Sequence, residues 1–447
     1  MNGGAFIDTL MVASDPSGGA YLAGTFQGRL TFGDLPPLEH TEGEPEPGAF
    51  SGRGGTDGFV AKFNVHGTAI WARTLGGVGD DDAVVVGADT SGVHVAGNRV
   101  KAARKGRGVY IGKYDRRGQG AWTGKPKGWE AVYARDAAVD PRGNVYMLGM
   151  NVPGASSEAE LDCEFDDADR PCVGDIQVAS IDAAGKRRWS AGSTGDAQAI
   201  AGAIGVDAQG HVRVAGTFSG TLSFGGQSLS STSDGDLFMV EYDSDGAVVR
   251  VRHAARGQMR VVGAAVDPVG NSHVAGVIFG DTSFGERDPV ELGLPLPPGF
   301  SSSPYSEGLF VARYGPTGDL VWVRPADDPD EERGWLDLGG IAADAAGNSY
   351  IMGTGYRWQT TEQGDTLTME AVDKGGIFVA KYSASGQIEW VEHAGAPYER
   401  MGPVGDIAVD ARGNIVVTGF APRDSTFGGL KLAGEGDLFV WQRCDKS

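Results

Sequence analysis

The residues of this chain that could do chemistry fall into a few groups. An acidic stretch carries Asp162, Glu164, Asp166, Asp167 and Asp169. Carboxylates at that density are hard oxygen donors suited to Ca²⁺, the one cofactor the sequence suggests, and a solvated acidic loop is the plainer reading. Cys163 and Cys172 bracket the same stretch, and Cys444 stands near the C-terminus. A local cysteine pair in an irregular loop reads as a disulfide formed in an oxidising compartment, with two free thiols as the alternative. A basic run holds Lys101, Arg104, Lys105 and Arg107, and Arg116, Arg117, Lys125 and Lys127 follow it. With 38 basic and 59 acidic residues the net charge is −21. That balance disfavours nucleic acid and anionic membranes unless a basic patch is segregated, and this run could receive an acidic polymer or pair with the acidic loop.

Other groups have structural explanations. His94 and His273 invite a metal reading, yet their column in a repeated unit reads Tyr21, His94, Tyr146, Arg213, His273, Tyr350 and Val416. Metal ligands should converge on one place, so this column is a packing position for large amphipathic side chains. Asp243-Ser-Asp-Gly246 resembles the start of a Ca²⁺ loop but lacks the closing Glu, which makes it a turn. A Gly-x-Ser-x-Gly elbow, a His-Glu-x-x-His helix, a P-loop and the sialidase Asp-box are all missing from the sequence.

The elements that would position these groups come from a repeat. An apolar-x-apolar-Asp segment, a Gly turn often followed by Asn, an alternating apolar run and a closing Gly recur seven times, as in Ala138 to Gly149 and Gly205 to Gly216. The turn glycines are 18, 92, 143, 210, 270, 347 and 413. The turn Asp accepts backbone N–H bonds and the Gly supplies positive φ. The second half of the unit is strand, Gly turn and strand, usually ending in Trp, as in Gly58 to Trp71 and Ile377 to Trp390. Trp supplies a large packing area between adjacent sheets. The 73 Gly and 21 Pro argue against long helices, and 40% hydrophobic residues argue against disorder.

Units of this kind cannot bury both faces alone, and packing them radially predicts an all-β, seven-bladed β-propeller of four-stranded antiparallel blades. With each blade's strands called A to D from the inside out, the A–B and C–D turns fall on one face, and the B–C and D–A connections on the other. One domain over 1–447 is expected, with blades at about 6–77, 78–128, 129–195, 196–256, 257–327, 334–395 and 402–443. The seventh unit stops at Asp437 to Arg443, so the last blade is expected to lack its outer strand unless chain upstream of Met1 completes it.

The units resemble the bacterial seven-bladed β-propeller repeats of exported and lipoprotein-type proteins. The matching residues are Ala138 to Tyr146, Phe378 to Trp390 and the B–C insertion Gly216 to Gly226, over nearly the whole chain. The resemblance implies an extracellular, cell-surface or periplasmic scaffold, with the targeting segment outside this sequence, and brings no catalytic motif. The turn-to-Trp segments are also similar to the tryptophan-docking repeat of quinoprotein dehydrogenases, but their ligand set is not evident here.

The leading expectation is therefore a non-enzymatic binding scaffold for a protein or glycan at the cell surface. Its ligand face would be formed by the variable insertions 28–57, 99–107, 151–174, 280–307 and 357–374. Phe50, Phe300, Tyr305 and Trp358 are the large anchors in those loops. The alternatives are a glycan lyase or hydrolase, or a quinoprotein-like enzyme, on the same face, and a purely structural module of a larger surface protein. No apolar stretch is long enough to span a membrane.

Overall fold

The structure is a computed structural model. It describes residues 6–15, 17–39, 55–76, 80–100, 107–129, 132–151, 174–231, 233, 235–285, 307–326, 335–356, 358–363, 366–371, 376–395, 405–410, 412–421, 426–427, 430–431 and 437–444.

Each turn forms because one Asp gathers the donors the chain would otherwise leave unpaired. Asp140 Oδ1 accepts the N–H groups of Arg142 and Asn144, both at 2.9 Å, and its Oδ2 accepts from Asn144 Nδ2 at 2.7 Å. Gly143 supplies φ of 79°. Tyr146 OH and Tyr350 OH reach the Oδ2 of their own turn Asp at 3.2 and 2.8 Å, as His94 Nε2 reaches Asp89 Oδ2 at 2.9 Å. The Tyr/His column thus serves the turn carboxylates. Burial works against the Asp89 charge, but bonds from His94, Ser91 and Lys113 prevail and hold its carboxyl well below the ordinary carboxylate range.

The first strands of successive repeats stand side by side around an axis. Phe6–Ser14 neighbours Val85–Asp89, then come Val132–Val139, Gln198–Val206, Val248–Val266, Trp335–Ala343 and Asp406–Val409, which returns to Phe6–Ser14. Val12 N donates to Asp406 Oδ2 at 3.0 Å, and Ser14 Oγ to the Val409 carbonyl at 3.2 Å, across that closure. The hydrophobic core lies between neighbouring sheets rather than at one centre: Leu148, Ile176, Val214 and Phe238 pack together from two repeats.

The protein is an all-β propeller, but the expectation of seven four-stranded blades is corrected. Five sheets carry four or more strands, holding four, four, six, nine and six, beside one of three strands and one of two. Counted as separate sheets of four or more strands, the propeller has five blades, not seven. The physical reason is strand sharing. Val248–Val266 runs unbroken from one repeat into the next and fuses two of them. The insertion hairpin Thr221–Phe224 with Gln227–Ser230 pairs with Ser193 to Gly195 of the preceding repeat. Thr426–Phe427 and Thr366–Ala371 join the edges of preceding repeats in the same way. These insertions cover outer edges that would otherwise expose unpaired backbone. The last repeat forms a sheet of three strands among the described residues.

Adjacent repeats are locked by tryptophan. The indole N–H of Trp71, Trp122, Trp189 and Trp322 donates to the carbonyl of Arg116, Ala183, Ser244 and Ala384, at 3.1, 2.9, 2.9 and 3.1 Å. Each acceptor lies in the C–D turn of the next repeat. The glycine of that turn lies against the ring: a Cβ on Gly185 would stand 2.8 Å from Trp122. Gly185 therefore answers both to its φ of 86° and to this close approach.

Gly185→Ala should lower stability by about 2–3 kcal/mol in urea denaturation. Gly120→Ala, where a Cβ meets nothing within 4 Å, should stay within about 0.5 kcal/mol of wild type. A second expectation concerns pH. Burial raises the Asp136 carboxyl to about 7 and that of Asp406 to about 6, outweighing the backbone N–H bonds each accepts. Both folded values lie above the ordinary 3.8, so the native state holds these protons more tightly than the unfolded chain. Their contribution is fully present at low pH and is lost as pH rises from about 4 to about 7. The unfolding free energy from urea titrations at pH 5 to 8 should fall less steeply in Asp136→Asn, by about 1.4 kcal/mol per pH unit below the Asp136 pKa.

Candidate functional site

A departure from the repeat gathers where the second repeat meets the third, at the end formed by D–A and B–C connections. Most repeats continue the closing Gly with Thr or an apolar residue, whereas the second reads Gly97-Asn98-Arg99. The connection into its inner strand reads Asp80-Asp81-Asp82.

The backbone fixes these side chains firmly. Asp81 N donates to the Thr56 carbonyl at 2.8 Å, and Thr56 N to Asp80 Oδ1 at 3.0 Å, tying the segment to the first repeat. Asn98 ties it to the third. Its Oδ1 accepts from Ala134 N at 2.7 Å, its Nδ2 donates to the Ala134 carbonyl at 3.3 Å, and its own N–H reaches Asp82 Oδ1 at 2.5 Å. Gly76 has no room for a side chain, since a Cβ there would lie 2.1 Å from Asp57 Oδ1 and 2.9 Å from Asp81 Oδ2. Two carboxylates, each 1% exposed, thus close on one glycine.

Arg99 Nε donates to Asp81 Oδ1 at 2.8 Å, and its guanidinium lies 5.4 Å from the centre of the Tyr110 ring. Its side chain stays 37% exposed while Asp81 is 1% exposed, so a buried acid aims a cation that solvent can reach. Tyr110 OH donates to the Asp82 carbonyl at 2.7 Å. Burial, with the Asp82 and Asp81 carboxylates nearby, holds that phenol well above its ordinary value, so it remains a neutral donor. Tyr133 OH reaches Asp82 Oδ2 at 3.4 Å, and both residues are half-buried. The site therefore offers an oriented guanidinium for a carboxylate or sulfate, and a phenol–carboxylate pair able to relay a proton.

The site residues expected from sequence are not among these. Lys101, Arg104, Lys105, Phe300 and Tyr305 lie outside the described residues, as do Asp162, Glu164, Asp166, Asp167, Asp169, Cys163 and Cys172. The backbone places Arg107 opposite Val100 and Trp358 opposite Ala371, at strand ends. Among the described residues, no group of three or more His, Cys, Asp or Glu is arranged to hold a metal ion. Asp243 acts as a turn residue, accepting from Asp245 N and Ala247 N at 2.9 Å each. The signal for the new cluster was present in the repeat register. Seven places before each turn Asp the residues are Asp8, Asp82, Tyr133, Ile200, Arg260, Asp337 and Pro403, a column that refuses to repeat.

No family model matches the chain, and no curated protein does. Among solved structures it is similar to an ulvan lyase of a new polysaccharide lyase family, at 10% identity and TM-score 0.40, covering 98% of this chain and 94% of that one. A neuraminidase-like protein of a flat-faced bat isolate from Peru gives 11% and 0.40, covering 97% and 87%. A gluconolactonase from Xanthomonas campestris gives 12% and 0.31, covering 78% and 95%. These similarities assign no residue a role. Among the described residues, no helix is long and apolar enough to cross a membrane.

Asn98→Ala leaves the Ala134 N–H without its acceptor and should cost about 1–3 kcal/mol in urea denaturation. Tyr133→Phe removes a long, half-exposed bond to Asp82 and should change stability by less than about 0.5 kcal/mol.

Proposed function

We propose that the protein is a glycan-active enzyme acting on an acidic polysaccharide at the D–A and B–C end of its second and third repeats. The observation that carries this reading is the exposed Arg99 guanidinium held by buried Asp81 beside the Tyr133–Asp82 pair. Arg99 would clamp the carboxylate or sulfate of a sugar ring. With the ring so held, Tyr133 and Asp82 would move a proton to or from it, as lyase or hydrolase chemistry requires. A binding scaffold would use these residues for recognition alone, whereas the scaffold expected from sequence placed its ligand on the insertion loops.

The test incubates the purified protein with polygalacturonate, alginate, chondroitin sulfate and neutral dextran, following new reducing ends and unsaturated uronate absorbance. The expected result is depolymerisation of an acidic polymer, slowed at least 100-fold by Arg99→Ala and by Tyr133→Phe, with dextran untouched. Binding of an acidic polymer without new chain ends would replace the enzyme with the scaffold.

A further inference from the structure

The outer rim of the second and third repeats carries a second feature, made of residues other than those around Asp81 and Arg99. Arg116 and Arg117 lie in the C–D turn of the second repeat, and Lys125 and Lys127 follow its outer strand Gly120–Gly124. Lys186 and Arg187 stand at the equivalent turn and outer strand of the third repeat. All six are exposed. Arg187 Nη1 donates to the Lys127 carbonyl at 2.8 Å, which brings the two repeats' basic groups together. The Trp122 lock onto the Ala183 carbonyl at 2.9 Å fixes the surface beneath them.

These charges are not used internally. Lys62 pairs with Asp15 at 2.7 Å, Lys381 with Glu389 at 2.9 Å, and Arg213 and Arg250 share Glu241 at 3.0 and 3.2 Å. By contrast, among the described residues Arg117, Lys125, Lys127, Lys186 and Arg187 form no ion pair, and Arg116 only approaches Asp15 Oδ1 at 3.7 Å. The acids of the two turns are committed to backbone. Asp115 Oδ1 accepts from Arg117 N and Gln119 N at 2.8 Å each, and Asp182 Oδ1 from Ala184 N and Lys186 N at 3.0 and 2.8 Å. A chain of net charge −21 thus keeps six exposed cations on two adjacent repeats, five of them without an ion pair among the described residues.

We propose that this patch is a non-catalytic anchoring site for an acidic polysaccharide. A uronate- or sulfate-bearing chain carries about one or two charges per sugar. A DNA duplex carries one per about 1.7 Å and would meet far stronger repulsion from the acidic body. Lysine and arginine on a preorganised rim match discrete carboxylates or sulfates. The site stands independently of any chemistry at Arg99.

The test uses the full chain in affinity electrophoresis through gels containing polygalacturonate, dextran sulfate or neutral dextran, with a mobility shift on duplex DNA alongside. Wild type should be retarded by both acidic polymers, released by salt and unaffected by dextran. Lys125→Ala/Lys127→Ala/Lys186→Ala should weaken retardation at least tenfold with an unchanged circular dichroism spectrum, and should do so equally in an Arg99→Ala background, where the clamp of the other site is gone. Equal retardation of wild type and the triple variant, no retardation of wild type, or binding of duplex DNA at comparable affinity would each overturn the proposal.

Discussion

The structure depends on one contact, repeated: an indole N–H from one repeat donating into the C–D turn of the next, with a glycine lying flat on the ring. A propeller has no single core, so its sheets must be held to one another pairwise. Trp71, Trp122, Trp189 and Trp322 each satisfy a turn carbonyl and bury ring area in one step. Where Arg250 holds that position instead, arginines take over: Arg250 Nη1 reaches the Pro316 carbonyl at 3.3 Å and Arg252 Nη2 the Thr317 carbonyl at 3.2 Å. At that junction the repeats also share one continuous strand, so the lock is replaced by covalent continuity. Trp390 completes the logic, since the last repeat presents no C–D turn among the described residues. Its ring is covered instead by Arg443, 4.0 Å from the centre.

Near the axis the same problem is solved with carboxyl groups that accept backbone N–H bonds. Asp136 accepts from Ile204 N at 2.8 Å and Asp406 from Val12 N at 3.0 Å, each reaching the next inner strand. Both occupy the position four residues before a turn Asp. Gly340 holds that position one repeat earlier, and a Cβ there would lie 2.5 Å from Asp406 Oδ1. Glycine at one inner strand therefore makes room for the carboxylate of the next, and burial keeps those carboxyls protonated well above their ordinary range.

Much of this was legible in sequence because turns and strand alternation are local. The Asp-x-x-Gly-Asn turns, the packing column of Tyr21 and His94, and the inter-sheet role of Trp follow from residue type and spacing. Blade count was not legible, because it depends on pairing between insertions and distant outer strands. Nothing local in Gly216 to Gly226 says that Thr221–Phe224 will hydrogen-bond to Ser193–Gly195. The Asp81–Arg99 site was hidden for a related reason. Its residues are separated along the chain, and they stand out only when the repeats are aligned and the columns that fail to repeat are read.

In the proposed function the working surface lies on those non-repeating columns, with Arg99 as the group that would meet the ligand. A crystal structure of the protein with a short acidic oligosaccharide measures this most directly. The account predicts a carboxylate or sulfate oxygen within hydrogen-bond distance of the Arg99 guanidinium, with Asp81 still holding Nε and the sugar ring beside Tyr133. An oligosaccharide that leaves Arg99 untouched and binds on the insertion loops would contradict it.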